Sequence, residues 1–429
     1  MYKNMLLLLL AGILLASCGK QLNIYPHSAA SSDNISEADL DALRNGMYNR
    51  VQNAPGDLSY IMNDLIGGNL INSSAAGGGN FILFVSNILR PEQAIIATQW
   101  NGYYRALYQV NTVLEALKNV PDNVKNRQTA GVAHFFRGYL YYNLVTRWGG
   151  VPILQKNTQE KVKRDSEAAV WAFVESELQM AIEQCPSFSD NGNDYFYVSS
   201  EAARGLMARV KLSEGKKKEA AALAEGLINS GLFQLSDFDQ IFRGEKNKAE
   251  IFAFHNLTLE SSIQLSNYFY TYAHPEKGSY VYKPTDEVMN LYESGDQRAA
   301  VSIDTYEGLN VINKYPSGKT GSDPLVVMRL AEMYLISAEA QGLRGLDRLN
   351  TLRQARGLGA IHPTTEADYM DALLLARRRE FLAEGFRWYD LVRLGRAKEV
   401  LGITDAQLKL PLPESEIALN DQLTQNPGY

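Results

Sequence analysis

The stretch RRREFLAEGFRWYDLVRLG, residues 377–395, holds five arginines, three carboxylates, a tryptophan and a tyrosine. Such a density of charge is typical of an active site, of a nucleic-acid contact, or of a helix fixed by ion pairs. Arg377 precedes Glu380 by three residues and Arg387 follows Glu384 by three, a spacing that favours ion pairs along or between helices. We therefore expect one continuous helix that belongs to the scaffold.

Glu380 and Glu384 are also a candidate acid pair for glycoside hydrolysis, because side chains four residues apart share one face of a helix. Flanking arginines favour ionised carboxylates, whereas a general acid must hold its proton. The stretch thus predicts a structural role, and we assign no catalytic residue to this chain.

Signatures of other chemistry are weak or missing in the sequence. The five histidines show no metal-ligand spacing, and neither an H-E-x-x-H nor a G-x-S-x-G motif occurs. The segment Ser317–Thr320 imitates the end of a phosphate-binding loop, but Asn313 stands where that loop needs its first glycine. We therefore expect no metal, no cofactor and no enzymatic activity.

The charge of the chain argues against nucleic acid as a partner. The net charge is −6 over 429 residues, without a basic block, whereas nucleic-acid binding depends on neutralising phosphates. Tyrosine is abundant, with 24 Tyr against 15 Phe. Tyrosine-rich surfaces often serve recognition, since the ring offers apolar area and the hydroxyl a hydrogen bond.

The first residues predict export. An apolar or small run at residues 5–17 follows Lys3 and is too short to span a bilayer. It ends in Leu-Ala-Ser-Cys, which resembles a bacterial lipobox and implies a signal peptide at 1–17, lipid on Cys18 and a lipidated tether at 18–35. The alternative is an ordinary secretory signal with a chance cysteine. We expect contact with the membrane only through this anchor.

The fold class that the periodicity predicts is mainly α, built from tetratricopeptide-like stacked helix pairs. In the first pair, residues 199–230, Gly215 lies at the corner and Ala208, Ala220 and Ala224 within the helices, and such small residues allow close helix approach. Residues 329–358 are a second candidate pair. Residues 232–324 lack this pattern and form an irregular, loop-rich, partly β insertion. The predicted helices lie from Ser36 onward and at about 91–120, 127–148, 166–184, 199–213 and 216–230.

The division of the chain follows from this pattern. We expect one domain at 36–429, with its helical scaffold at about 36–231 and 325–400. The last segment, 401–429, has three prolines and forms either an ordered tail that packs on the domain or a loose one. We expect the ordered tail.

Tyrosines of the insertion are the first ligand-binding candidates. The stretch NYFYTYAHPEKGSYVYK, residues 267–283, spaces them so that an extended chain would point several to one side. Sugar rings present apolar faces that pack on aromatic rings. The alternative is that they form the core of the insertion. The candidates are Tyr268, Tyr270, Tyr272, Tyr280 and Tyr282.

A glycine-rich loop at residues 64–80 is the second candidate. Its Asp64, Asn69 and Asn72 carry groups that hydrogen-bond to hydroxyls, although such loops are often plain connectors. Trp100, at a helix start, is a further stacking candidate, but the apolar stripe that it joins favours the core.

Five segments in order resemble one family, the SusD/RagB outer-membrane nutrient-binding lipoproteins. The opening stretch matches its Arg-x-x-Glu-(apolar)-x-x-Glu-Gly-x-Arg-(aromatic)-x-Asp-(apolar)-x-Arg motif. The others are AGVAHFFRGYLYYNLVTRWGGVPIL (130–154), YKPTDEVMNLYESGDQR (282–298), RLAEMYLISAEA (329–340) and LPLPESEIALNDQLTQNPGY (410–429).

The resemblance implies an α-rich fold with about four tetratricopeptide-like pairs and no catalysis. It also implies a SusC-like TonB-dependent outer-membrane barrel as partner, to which a glycan, or a peptide in RagB-like members, is delivered from the cell exterior. The chain is short for the family, and its tether lacks a run of acids. The family's ligand residues lie in variable loops, so none is carried over. A lipid-anchored glycoside hydrolase and a purely structural adaptor remain the alternatives.

Overall fold

A computed structural model describes residues 36–73, 80–242 and 247–429 of the chain. The predicted leader, the tether and Cys18 lie outside the described residues. Most of the described chain is helical. The α-helices, in chain order, are α1 (Leu40–Asn53), α2 (Leu58–Ile66), α3 (Asn80–Leu83), α4 (Ala94–Ala116), α5 (Val124–Trp148), α6 (Glu167–Gln184), α7 (Ser200–Ser213), α8 (Lys217–Ile228), α9 (Leu265–Phe269), α10 (Asp286–Met289), α11 (Ala299–Ser302), α12 (Leu330–Gln341), α13 (Leu346–Gln354), α14 (Glu366–Glu380), α15 (Arg387–Arg393), α16 (Ala397–Leu401) and α17 (Glu414–Leu419).

The long helices confirm the predicted mainly α fold, and local sequence fixes their ends. The side chains of Ser166, Ser199 and Thr365 cap α6, α7 and α14 by accepting a backbone N–H of the first turn. At the other end, α5 stops at Gly149, whose φ of +73° suits glycine. These stop and start signals are the ones that the sequence displays.

Close helix approach depends on small residues, as the predicted pairs require. Ala208 of α7 and both Ala220 and Ala224 of α8 are fully buried. Helix α8 also packs against α12, the first helix of the second predicted pair. At Gly131 of α5, an added Cβ would lie 2.5 Å from the backbone nitrogen of Cys185, at the end of α6. The helices therefore stack in layers on a large hydrophobic core, with a second cluster between α12, α13 and α14.

Among the described residues, three two-stranded antiparallel ribbons complete the fold. The strands are β1 (Leu70–Asn72), β2 (Glu250–Phe254), β3 (Tyr282–Pro284), β4 (Ile303–Tyr306), β5 (Leu309–Ile312) and β6 (Leu325–Arg329). Strand β1 pairs with β3 so that Asn72 lies opposite Tyr282. The glycine-rich loop and the tyrosine segment, far apart in sequence, are therefore neighbours.

The C-terminal residues pack against α5. The indole Nε1 of Trp148 donates to the carbonyl oxygen of Pro411 at 2.9 Å. The amide of Asn426 donates to the carbonyl oxygens of Trp148 and Leu410, at 3.1 and 2.7 Å. The tail thus lies on the domain, held at both ends of its length. The proposed division of the chain at 231/232 and 324/325 stays a prediction.

The expectation of one continuous helix at 377–395 is wrong. Helix α14 ends at Glu380, the chain turns, and α15 begins at Arg387. Ala383 and Gly385 have φ values of +61° and +79° within this turn, which a right-handed helix cannot contain. A Cβ on Gly385 would lie 2.4 Å from the carbonyl oxygen of Tyr60, so the turn needs glycine there.

Polar side chains from elsewhere in the chain replace the lost helical hydrogen bonds of this turn. Asp64 accepts the N–H groups of Ala383 and Gly385, and the Asn63 amide donates to the Gly385 carbonyl oxygen. The Lys314 ammonium donates to the carbonyl oxygens of Glu380 and Leu382. Buried backbone groups need such partners, and these partners are distant in sequence. The break was therefore invisible to a local pattern.

Candidate functional site

The charged stretch is an interior ion-pair cluster. Glu380 is fully buried, and its carboxylate contacts the guanidinium groups of Arg298, Arg329 and Arg356. Burial alone would raise the pKa of Glu380, but these three arginines outweigh it and hold that pKa well below its usual range. A carboxylate so held cannot serve as a general acid.

The partner carboxylates of the stretch are equally enclosed. Glu384 pairs with Lys314 at 2.8 Å and with Arg329 at 3.0 Å. Asp390 joins Arg377 and Arg393 at 2.8 Å each. The cavity beside them has a volume of only about 80 Å³, room for a few water molecules and not for a sugar. The geometry agrees with a scaffold role. The partners of Glu380 and Glu384 come from other elements and not from the expected i±3 positions, whereas Arg393 follows Asp390 by three residues on α15.

Asp64 and Asn69 also lie in the interior. The amide of Asn69 donates to Oδ1 of Asp64 at 2.8 Å, and Nε of Arg378 donates to Oδ1 of Asn69 at 2.8 Å. Burial raises the pKa of Asp64 to about 6, although three hydrogen bonds to its oxygens act against the rise. These two candidates hold the turn after α14 in place.

Trp100 packs in the core, where 3% of its surface is exposed. Its ring meets that of Trp148 edge-on at 5.4 Å and lies 5.0 Å from that of Tyr104. The structure does not bring it to the tyrosine segment. As it stands, the ring is not accessible to a ligand in solvent.

The tyrosine segment is folded on itself and not extended. Helix α9 and backbone bonds from Gly278 to Thr271 and from Tyr280 to Tyr270 turn it into a tight loop. Tyr270 and Tyr280 pack inward with Val311. Their hydroxyls donate to Asn313 Oδ1 and to the carbonyl oxygen of Asn310.

The remaining tyrosines divide between the interior and the surface. Tyr282 is fully buried, and Tyr268 is partly buried beside it with ring centroids 5.7 Å apart. Tyr272, at the tip of the loop, is 73% exposed. The alternative interpretation, that these tyrosines form the core of the insertion, therefore fits most of them. Of the five candidates, Tyr272 is the one that faces solvent.

Charged and aromatic neighbours surround the Tyr272 ring. The ammonium groups of Lys277 and Lys319 lie 5.8 and 5.3 Å from its centroid. His274 stacks on Tyr270 with centroids 3.9 Å apart and meets Tyr306 at 4.8 Å. We call Tyr272, Lys277, Lys319, His274 and Tyr306 the Tyr272 surface. Sequence reasoning missed all members but the tyrosine, although Pro275 and Gly278 predict a turn that would bring these residues to a tip.

Asn72 lies opposite Tyr282 of the tyrosine segment in the β1–β3 ribbon. It is half-buried, and within the described residues its Oδ1 has no hydrogen-bond partner. Ser73 fixes the ribbon by donating its N–H to the carbonyl oxygen of Val281 at 3.0 Å. The structure thus brings Asn72 and the tyrosine segment together, as two candidates drawn from separate parts of the sequence.

Residues 36–73, 80–242 and 247–429 contain neither a candidate metal cluster nor a candidate membrane span. Within them no group of three or more His, Cys, Asp or Glu side chains is placed to hold a metal ion. Within the same ranges, no helix combines the length and the apolar character that crossing a membrane requires.

Two family models match the chain. One, described as starch-binding and associating with the outer membrane, matches residues 21–212, and that of the SusD family matches residues 258–409. The chain is 24% identical to the SusD-like protein P38 of Formosa agariphila, over 99% of this chain and 98% of that protein. The family description supports carbohydrate binding and an association with the outer membrane.

Solved structures have the same fold. A laminarin-binding SusD-like protein superposes with a TM-score of 0.79 at 22% identity, over 92% of this chain and 100% of that one. Surface glycan-binding protein A of Bacteroides fluxus gives a TM-score of 0.79 at 23% identity, over 92% and 100%. These similarities establish the fold. The names of both solved proteins describe binding and not catalysis.

Proposed function

The chain belongs to the SusD/RagB family, and from this premise we propose that it is a cell-surface lipoprotein that binds an oligosaccharide or polysaccharide. In this proposal Cys18 carries the lipid, and the bound glycan passes to a SusC-like TonB-dependent barrel in the outer membrane. The chain itself performs no chemistry on its ligand.

The observation that carries the binding proposal is the exposed ring of Tyr272. A loop built around buried Tyr270 and Tyr280 holds this ring outward, 73% exposed. An exposed aromatic ring on a fixed loop offers the flat apolar area on which a sugar face packs, at little cost in conformational entropy. Lys277 and Lys319 beside it supply donors for hydroxyl or acidic groups.

Hydrolysis has less support than binding. The candidate pair Glu380 and Glu384 is enclosed by arginines and a lysine and does not border a cavity of sugar size. The lowered pKa of Glu380 favours a permanent carboxylate. Catalytic carboxylates of glycosidases instead flank an open cleft, and one of them holds a proton.

Retardation in native gels tests binding and catalysis together. The folded protein without its leader is run through gels containing laminarin, soluble starch, xylan, alginate or pectin, while reducing ends are assayed in parallel. We expect retardation by at least one glycan without release of reducing ends. Release of reducing ends would support the hydrolase, and binding confined to a peptide library would support the RagB-like alternative.

The anchor and the partner are tested in the native cell envelope. We expect the wild-type protein to enter the detergent phase of Triton X-114 and to co-purify with a large β-barrel protein. The change Cys18→Ser should move it to the aqueous phase, because the acyl chains are its anchor. A Cys18→Ser protein that still partitions with detergent would contradict the lipid assignment, and a barrel with no glycan affinity would favour the adaptor.

A further inference from the structure

A second groove lies apart from the Tyr272 surface, between α1 and two loops. One loop, residues 194–197, precedes α7, and the other, residues 255–260, follows β2. Its volume is about 640 Å³, within the range of roughly 300–1,000 Å³ that is usual for small-molecule sites. None of its residues was a candidate in the sequence.

Amides of α1 form one wall of the groove. Asn45, Asn49 and Gln52 recur at positions i, i+4 and i+7, so they share one face of the helix. The Asn49 amide donates to the carbonyl oxygen of Glu260 at 2.6 Å, and Oδ1 of Asn53 accepts the N–H of Ser262 at 2.7 Å. Helix α1 thus fixes the loop that faces it.

Aromatic rings form the opposite wall. Tyr197 is 46% exposed, and its ring meets that of Tyr48 at 6.3 Å. Phe196 stacks on His255 with centroids 4.3 Å apart and planes 15° from parallel. The hydroxyl of Tyr48 accepts the N–H of Val198 at 2.9 Å, so the aromatic wall is fixed to the same helix.

Several polar groups of the groove are available to a ligand. Across residues 36–73, 80–242 and 247–429, no hydrogen-bond or ion-pair partner occurs for the Asn45 amide, the Tyr197 hydroxyl, the His255 imidazole or the Glu260 carboxylate. The other amides of the groove are engaged, since Asn49 and Gln52 donate to the carbonyl oxygen of Glu260 and to Oδ1 of Asn256. In the groove beside Tyr104, Asn111 and Asn157 likewise donate to backbone oxygens of Leu154 and Tyr108.

We propose that the groove between α1 and the two loops is a second carbohydrate site, which takes a neutral oligosaccharide. The exposed ring of Tyr197 lines the same groove as the Asn45 amide, the His255 imidazole and the Glu260 carboxylate, so one face of a sugar can stack while its hydroxyls bond to planar polar groups. Asp194 and Glu260 line the groove without a lysine or arginine among its lining residues, so uronate or sulfate groups are repelled. The inference rests on the proposed function in one respect, namely that the ligand of the protein is a carbohydrate.

The groove and the Tyr272 surface border one segment, residues 317–321. Thr258 Oγ1 donates to the carbonyl oxygen of Thr320 at 3.0 Å, and Asn256 donates to that of Gly321 at 2.7 Å, on the groove side. Lys319 of the same segment lies over Tyr272. The two regions are therefore joined through one segment of the chain, and a neutral glycan long enough to contact both would bind with an overall affinity above that of either region.

The test isolates the groove by removing the Tyr272 ring. Calorimetry on Tyr272→Ala, Tyr197→Ala and the double variant uses laminarihexaose, maltohexaose and xylohexaose as neutral probes and a guluronate hexamer as the acidic probe. Tyr108→Ala, which removes an exposed tyrosine of α4, is the control, and circular dichroism confirms folding of each variant.

We expect the Tyr272→Ala protein to retain binding of a neutral hexasaccharide, with affinity that falls at least about tenfold on adding Tyr197→Ala. Loss of all binding in Tyr272→Ala, or residual binding that Tyr197→Ala leaves unchanged, would overturn the second site while the proposed function stands. Binding of the guluronate hexamer in the Tyr272→Ala background, lost with Tyr197→Ala, would overturn the neutral class. If Tyr272→Ala leaves the affinity unchanged and Tyr197→Ala abolishes binding, the groove is supported as a carbohydrate site and the Tyr272 surface is excluded as one.

Discussion

Oδ2 of Asp64 accepts the backbone N–H of Gly385 at 2.7 Å, and its Oδ1 accepts that of Ala383 at 3.0 Å. A residue that the sequence offered as a ligand contact is thus a clamp on the turn between α14 and α15. The clamp lies in the interior, where burial raises the pKa of Asp64 to about 6.

The change Asp64→Asn tests this assignment. An amide has one acceptor oxygen, so its NH2 group would face one of the two N–H donors, and we expect a loss of about 1–3 kcal/mol in the free energy of unfolding. Urea unfolding monitors the loss, while glycan affinity per folded molecule should stay as in the wild type. A stable variant with weakened glycan binding would show that Asp64 contributes to the ligand site and contradict this assignment.

The change Glu384→Ala removes the carboxylate between Lys314 and Arg329, which are 0% and 1% exposed. Two buried cations then lose a partner, and breaking such a pair costs about 3–5 kcal/mol. We expect a correspondingly lower denaturant midpoint and unchanged ligand specificity in the protein that still folds.

The matched control is Glu115→Ala. The Glu115 carboxylate is 45% exposed and, among the residues that the structure describes, pairs only with Lys118 of the next helical turn. Its midpoint should stay close to that of the wild type, because exposed pairs contribute little. Equal midpoints for the two variants, or altered specificity in Glu384→Ala, would show that the charged stretch is not the scaffold described.

Periodicity predicts the helical part of this fold, because apolar stripes and caps are local features. The stripe through α4, the serine caps of α6 and α7 and the glycine stop after α5 all stand in the sequence near the elements that they define. The break after Glu380 depends instead on Asp64 and Lys314, which bond to backbone groups of the turn and lie far away along the chain.

The proposed binding surface follows from the sequence only in outline. Tyrosine spacing singled out the segment that carries Tyr272, but an extended strand would place Tyr268 and Tyr270 on one side with Tyr272, whereas the loop buries Tyr270. Which ring faces solvent depends on the tertiary packing of Val311 and its neighbours. The amides Asn45 and Asn49 of α1 did carry a signal, a polar repeat at helical spacing opposite the apolar stripe.

Stability should depend on pH through Glu250, a 1%-exposed acid at the start of β2. Burial raises its pKa to about 8 in the folded protein, from 4.5 in the unfolded chain. The folded state therefore holds a proton that the unfolded state releases, so the contribution of Glu250 to stability is highest below about pH 4.5 and falls as the pH rises toward 8. The slope for one proton is about 1.4 kcal/mol per pH unit.

The change Glu250→Gln keeps the shape of the side chain and removes its titration. Urea unfolding at pH 5, 6, 7 and 8 should give a difference between variant and wild type that grows in favour of the variant with each step. A constant difference over this range would show that Glu250 is ionised in the folded protein.

The central claim is that the ring of Tyr272 binds the glycan. Its most direct measurement is the dissociation constant of the glycan that retards the wild type, for Tyr272→Ala, Tyr272→Phe and the control Tyr108→Ala. We expect Tyr272→Ala to weaken binding about tenfold or more, with Tyr272→Phe and Tyr108→Ala near the wild type, because the ring and not the hydroxyl makes the contact. A folded Tyr272→Ala protein that binds as tightly as the wild type would contradict the claim.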